Sequence, residues 1–276
     1  MRVFGKGPCH RPIQQRAMTL MELLVVMAII LILAALLLAA LGRAKDSGKG
    51  AGCLSNLRQF AVACQLYAPD NGGKLVQNVS EPVLENSASP NCWVYGDMKS
   101  PGDSTNLELL RSGQIFAYIA QTAVYRCPAD VSFAPLEQRA APRVRSYSMN
   151  SWMGSTEMEI EEPEAGWRTF LRESDLAAAG PARIWVILDE HIGTLSDGWY
   201  VVTMDDSSPF ERFPATRHNN SYCLNFADGH AETYHLLKPS NHIPELPAMA
   251  FAAPLELSIL PNDPDWMRLR AVTTTR

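Results

Sequence analysis

Nineteen consecutive residues, Leu23 to Leu41, read LLVVMAIILILAALLLAAL and carry no charge. At 1.5 Å per residue, a helix of that length crosses most of a hydrocarbon core about 30 Å thick. A removable secretory signal has an apolar core of only about 7–15 residues, whereas here a helical pattern continues beyond the run. The segment is therefore read as a membrane anchor.

The residues before the run are basic. Arg2, Lys6, Arg11 and Arg16 stand in the first seventeen positions with no acid among them, punctuated by Pro8 and Pro12. Such a leader is an address rather than a folded element, and it tips the charge balance toward a cytoplasmic N-terminus and an extracytoplasmic C-terminal domain. Removing it would take the formal net charge from −5 to −9. An acidic remainder argues against nucleic acid as a partner and leaves membrane attachment to the apolar run.

Glu22 sits at the head of that run, where an ionised carboxylate drawn into the bilayer costs on the order of a few kcal/mol unless it finds a partner or water. Its neighbours, Ala17-Met18-Thr19-Leu20-Met21-Glu22, resemble the prepilin cleavage site of type IV pilins and type II secretion pseudopilins. The resemblance implies cleavage between Ala17 and Met18 by a prepilin peptidase and methyltransferase, N-methylation of Met18, and Glu22 as the fifth residue of the mature chain. A cationic amine on Met18 would then pair with Glu22 of a neighbouring subunit, so that parallel helices remove the cost of each lone carboxylate. The implied setting is the inner membrane, with the C-terminal domain in the periplasm or on the cell surface and other pilin-like subunits as partners.

Glycines at 42, 48, 50 and 52 follow the span, each costing about 1 kcal/mol of helix propensity relative to Ala, so the helix is expected to be weak there. From Cys53 the pattern returns: Cys53, Leu57, Phe60, Cys64 and Tyr67 recur at spacings that place them on one helix face, which is expected to bury against a sheet. Pro69-Asp70-Asn71-Gly72-Gly73 ends the element. Downstream, Thr105 to Glu108 reads as a capping box opening a brief helix through Leu110. Ile184 to Asp189 and Trp199 to Met204 read as strands.

The stretch Cys53 to Lys74 also resembles a large group of bacterial pilin-like proteins whose single sheet domain carries a His, nine residues, Asp-Gly motif. His218 followed by Asp228-Gly229 matches that motif, and Arg126 to Asp130 and Ser146 to Asn150 match two further segments of the group. From the residues themselves, Tyr222, Leu224 and Phe226 alternate into a strand and Asp228-Gly229 suits a two-residue hairpin turn with positive φ. His230 to Leu236 then returns as the partner strand. Turn chemistry for Asp228 and a strand-entry hydrogen bond for His218 stand beside any catalytic role.

Cysteine and acid placement leave choices open. Cys53 and Cys64 lie too far apart on one helix to bridge, while a Cys53–Cys127 disulfide would tie helix to sheet and stabilise by up to about 4 kcal/mol. Buried free thiols are the alternative. Asp189, Glu190 and Asp228 are weak calcium candidates without EF-hand spacing, and no other cofactor is expected. No nucleophile elbow, phosphate loop or His-Glu-x-x-His occurs, so the chain is expected not to be an enzyme.

The expected architecture is α+β and pilin-like, a long N-terminal helix packed on a small antiparallel β-sheet domain. Residues 1–17 form the leader and 18–68 the helix, with the span at about 23–41. Residues 69–237 form the β-rich domain, with an acidic insertion at about 151–180 and a Pro-rich extension over 238–276 that is expected to hold no regular element. The expected function is a pseudopilin-type subunit of a type II secretion or type IV pilus-like filament. The rival is a monomeric membrane-anchored binding domain or hydrolase that uses the pilin-type N-terminus only for export and anchoring.

Overall fold

The computed structural model describes residues 19–81, 91–135, 140–158, 166–205, 212–244 and 262–276. Ala17, Met18 and Glu159 to Glu164 of the acidic insertion lie outside them. The chain divides at Lys45 into two units. Among the described residues, the first unit is helical from Leu20, with Leu20 to Leu38 long and apolar enough to cross a membrane. Its large apolar side chains are exposed, from Leu20 through Leu41.

The helix α1 is Leu20–Asp70, so the glycine-rich stretch stays helical where weakness was expected. Within the second unit, packing explains two of those glycines. A Cβ on Gly52 would come within 3.0 Å of Pro128 Cγ, and one on Gly50 would lie 3.6 Å from His218 Nδ1. The missing side chains let the sheet domain approach the helix, and the propensity cost is offset by that close contact. At the far end Gly72 and Gly73 take positive φ, and Gly73 N–H donates to Ala68 O, closing the helix where the breakers stand.

The sheet of this unit has five strands in the order β5-β3-β4-β6-β7. These are β3 (Tyr147–Asn150), β4 (Trp185–Asp189), β5 (Trp199–Tyr200), β6 (Ser221–Phe226) and β7 (Ala231–His235). All neighbours are antiparallel except β3 with β5. A separate two-stranded ribbon pairs β1 (Phe133–Pro135) with β2 (Ala140–Pro142). The fold is therefore α+β, as the sequence led one to expect.

Both sheet faces are covered. Cys53, Leu57, Phe60 and Tyr67 of α1 bury against one face with Tyr147, Met149, Ile187 and Cys223, and Phe60 packs edge-on to Tyr125 and Tyr147. Tyr222, Leu224 and Phe226, the apolar set of β6, point instead into a second core with Trp185, Trp199 and Trp266. The helix thus meets the smaller, more polar set of β6. Asn225 Nδ2 donates to Leu57 O at 2.7 Å while its Oδ1 accepts from Ile187 N, tying α1 to two strands at once.

Two small helices, α2 (Leu107–Arg111) and α3 (Phe116–Ile119), precede the sheet. The cap of α2 is Asn106, whose side chain accepts from Glu108 N, so the helix opens later than the Thr105 box implied. In the insertion, α4 (Glu173–Ala179) starts where Asp175 accepts from Arg172 N.

The Pro-rich extension does contain a regular element, contrary to expectation. Asp263 caps a helix α5 (Pro264–Arg270), with Pro264 in the first turn where its missing N–H costs nothing. Trp266 and Leu269 enter the second core, and Trp185 donates its N–H to Val272 O and its Nε1–H to Thr273 Oγ1. The C-terminal residues complete the domain.

Candidate functional site

At the head of the span, Thr19 and Glu22 form a reciprocal cap. Glu22 Oε2 accepts from Thr19 N at 2.8 Å and from Thr19 Oγ1 at 3.0 Å, while Glu22 N donates to Thr19 Oγ1 at 3.2 Å. The sequence signal was present as Thr-x-x-Glu ahead of an apolar run. Within one chain Glu22 therefore starts the helix, and its carboxylate remains exposed for a second partner.

A denser arrangement lies under α1 in the second unit. Cys53 comes from the helix, Cys127 from the turn after a short 3-10 segment, Asp189 from the end of β4 and His218 from the loop entering β6. Cys127 Sγ and His218 Nε2 are 3.2 Å apart, His218 Nε2 and Asp189 Oδ2 3.6 Å, and Cys53 Sγ and Asp189 Oδ2 3.8 Å. All four ligand-type atoms lie within 4.8 Å of one another, and all four residues are buried. Both cysteines are free thiols in this structure.

An outer layer holds these groups in place. Tyr147 OH donates to Cys53 Sγ at 3.3 Å. Arg217 bridges two buried carboxylates, with Nη2 3.3 Å from Asp189 Oδ1 and Nη1 3.4 Å from Asp130 Oδ2. Asp130 also accepts from Ser146 Oγ, which in turn accepts from Cys127 N. The segments around Cys127, Tyr147 and His218 therefore converge on one buried network.

Burial and charge set the protonation of these groups. Burial works against charge on His218, yet its contacts to Asp189 and Cys127 outweigh that and push it up to about 10. Burial likewise resists ionisation of Cys127, but Cys53, His218 and Arg217 hold its thiol well below the usual range. For Asp189 and Cys53 burial wins, and both are pushed well above their ordinary values.

A Cys–His pair suggests nucleophilic chemistry, but the geometry is wrong for it. A nucleophile dyad takes the thiol proton at one imidazole nitrogen while a third group orients the other. Here Nε2 faces both Cys127 and Asp189, and Nδ1 is buried without a hydrogen-bond partner, against Gly50. Cys127 is 1 % exposed, so a substrate carbonyl has no approach to its sulfur.

The other motif residues do structural work at the hairpin. Among Ala227 to His230, which join β6 to β7, only Gly229 takes positive φ, at 101°, so the turn is longer than the two-residue form expected. Asp228 Oδ1 accepts from His230 N at 3.2 Å, and Gln65 of α1 donates to Ala227 O at 3.1 Å. The weak calcium set does not converge: Asp189 belongs to the thiol cluster, Glu190 faces Arg212 at 3.7 Å, and Asp228 pairs with His230 in the turn. Calcium asks for six to eight oxygens.

Comparison with known proteins adds one match, to the family described as the prokaryotic N-terminal methylation motif, over residues 13–38. No curated protein and no solved structure matches the chain. The chain thus carries a type IV pilin-like processing signal and an apolar helix suited to membrane anchoring.

Proposed function

We propose that the protein is a pilin-like structural subunit of the pseudopilin type, cut between Ala17 and Met18, N-methylated, and stacked through α1 with other such subunits in an envelope filament at the inner membrane. The observation that carries the reading is the methylation motif over residues 13–38 with Glu22 at the head of an exposed apolar helix. The C-terminal domain is of the His, nine residues, Asp-Gly kind, in which His218 anchors the network under α1 and the Asp228-Gly229 turn meets the helix at Gln65. Neither end of the motif is a catalytic group, and the subunit is not an enzyme.

Replacing Glu22 tests assembly. In the mature helix an uncompensated carboxylate at the bilayer edge costs on the order of a few kcal/mol, which pairing with the Met18 amine of a neighbour offsets. Glu22→Ala should leave membrane insertion intact and abolish recovery of cross-linked oligomers. Since the substitution also removes the two hydrogen bonds that the Glu22 carboxylate accepts from Thr19, Glu22→Gln serves as the companion variant that keeps an acceptor there and loses the charge. Normal oligomers in both variants would exclude the filament reading.

A second reading, a monomeric anchored binding domain, draws on a mainly apolar cavity of about 390 Å³ beside α1, lined by Cys64, Met149, Met153, Leu176 and Phe226 among others. That reading predicts that oligomers are absent from the wild type too.

A further inference from the structure

We propose that Cys53, Cys127, Asp189 and His218 form a zinc site that fastens α1 to the sheet domain. Two thiolates, one imidazole and one carboxylate make a donor set suited to zinc and unsuited to calcium or magnesium. Four protein ligands make the site structural rather than catalytic, since a catalytic zinc keeps one position for water. The inference rests on side chains of this chain alone and stands whether or not the chain assembles into a filament.

The geometry is close to that of a loaded site. With zinc bonds of about 2.0–2.3 Å, the edges of a tetrahedron are about 3.3–3.8 Å. The contacts Cys127–His218, His218–Asp189 and Cys53–Asp189 measure 3.2, 3.6 and 3.8 Å, and no ligand pair is farther apart than 4.8 Å. Small side-chain movements close the remainder. Charge also balances once Asp130 is counted: two thiolates, Asp189 and Asp130 exceed the charge of Zn²⁺ by two, and Arg217, 3.3 Å from the outward oxygen of Asp189 and 3.4 Å from Asp130, and Arg126, 4.0 Å from Asp130, supply two cations.

The surroundings orient the ligands as an outer shell does. Arg217 fixes Asp189 with Oδ2 toward the cluster, and the Tyr147 hydroxyl donates to the Cys53 sulfur. Gly50 and Gly52 let α1 come near enough for Cys53 to reach the other three. Binding sends to solvent the protons that the thiols, Asp189 and the His218 imidazolium carry in the empty site, leaving two thiolates, a carboxylate and an imidazole nitrogen as ligands with no change of oxidation state.

The same two sulfurs could instead close a disulfide, so the experiment separates the two chemistries. Full-length protein is purified from membranes in detergent without chelator, and its metal content and intact mass are measured. About one zinc per chain with Cys53 and Cys127 reduced is the expected result. A metal-free chain joined by a Cys53–Cys127 bridge, and lighter by two hydrogens, overturns the proposal.

Cys127→Ala and His218→Ala should lose the zinc, and Cys64→Ala, which changes a thiol outside the cluster, should keep it. Because the first two variants can also unfold, the wild type is stripped and reloaded with Co²⁺. Visible bands of tetrahedral cobalt with thiolate charge transfer are expected, and an octahedral spectrum overturns the proposal. Tyr147 is a positioning residue, and Tyr147→Phe should weaken zinc binding about 10–100-fold with the cobalt spectrum unchanged in type.

Discussion

Arg217→Met destabilises the second unit by about 3–5 kcal/mol, the range observed when one partner of a buried ion pair is removed. Arg217 is the cation between Asp130 and Asp189, both carboxylates fully buried and the guanidinium nearly so. Burial alone would keep Asp130 protonated, but Arg217, with hydrogen bonds from Ser132 and Ser146, holds its carboxyl below the usual range. Without Arg217 the charge on Asp130 is left to Arg126, 4.0 Å away and partly exposed. Asp189 is less affected, because burial already favours its neutral form.

For a unit of this size each kcal/mol moves Tm by about 2–4 °C, so the fall is on the order of 10 °C. Arg217→Lys recovers little, since one ammonium cannot span two carboxylates as the guanidinium fork does. The measurement is thermal unfolding of the detergent-solubilised protein in the presence of chelator, which removes any contribution from bound metal. The double variant Arg217→Met with Asp130→Asn should be more stable than the sum of the single losses implies. A loss below about 1 kcal/mol for Arg217→Met would show that the network is slack.

The second large effect is at the C-terminus. Trp266→Ala should cost about 3–5 kcal/mol, as truncation of a fully packed aromatic does. Trp266 is 2 % exposed and lies in the core formed with Trp185, Leu224 and Tyr234. Its helix is held at its cap by Asp263, which also receives Lys238 Nζ at 2.9 Å and Asn241 Nδ2 at 2.9 Å. If the segment merely trailed from the domain, the substitution would leave chemical denaturation unchanged within about 0.5 kcal/mol.

That segment shows where sequence reading falls short. Its prolines read as breakers when counted, yet Asp263-Pro264 is a helix start, because proline is harmless in a first turn behind a capping acid. The helix of the first seventy residues was more legible. An apolar run of nineteen residues has few readings, and the spacing of Cys53, Leu57, Phe60 and Tyr67 marks the face that the structure buries. The glycines between them looked like weakness because the close approach of Pro128 and His218 is invisible from local propensity.

The buried cluster was legible only in pieces. Cys53 and Cys127 stood out as a candidate bridging pair, His218 as a motif residue and Asp189 as an acid at a strand end. Their meeting depends on contacts spanning 136 residues between Cys53 and Asp189 and 91 between Cys127 and His218. Ligand pairs of local spacing announce themselves in a sequence, whereas ligands from four separate elements are joined only by the topology of the sheet. Arg217, the residue that balances their charge, carried no sequence signal beyond its place beside His218.

Processing as a pilin-like subunit leaves its mark on the N-terminus of the protein recovered from the membrane fraction. Intact mass together with N-terminal sequencing should find a chain that begins at N-methylated Met18. A chain that begins at Met1, or one cut beyond Leu41, would mean that the protein is not processed as a pilin-like subunit.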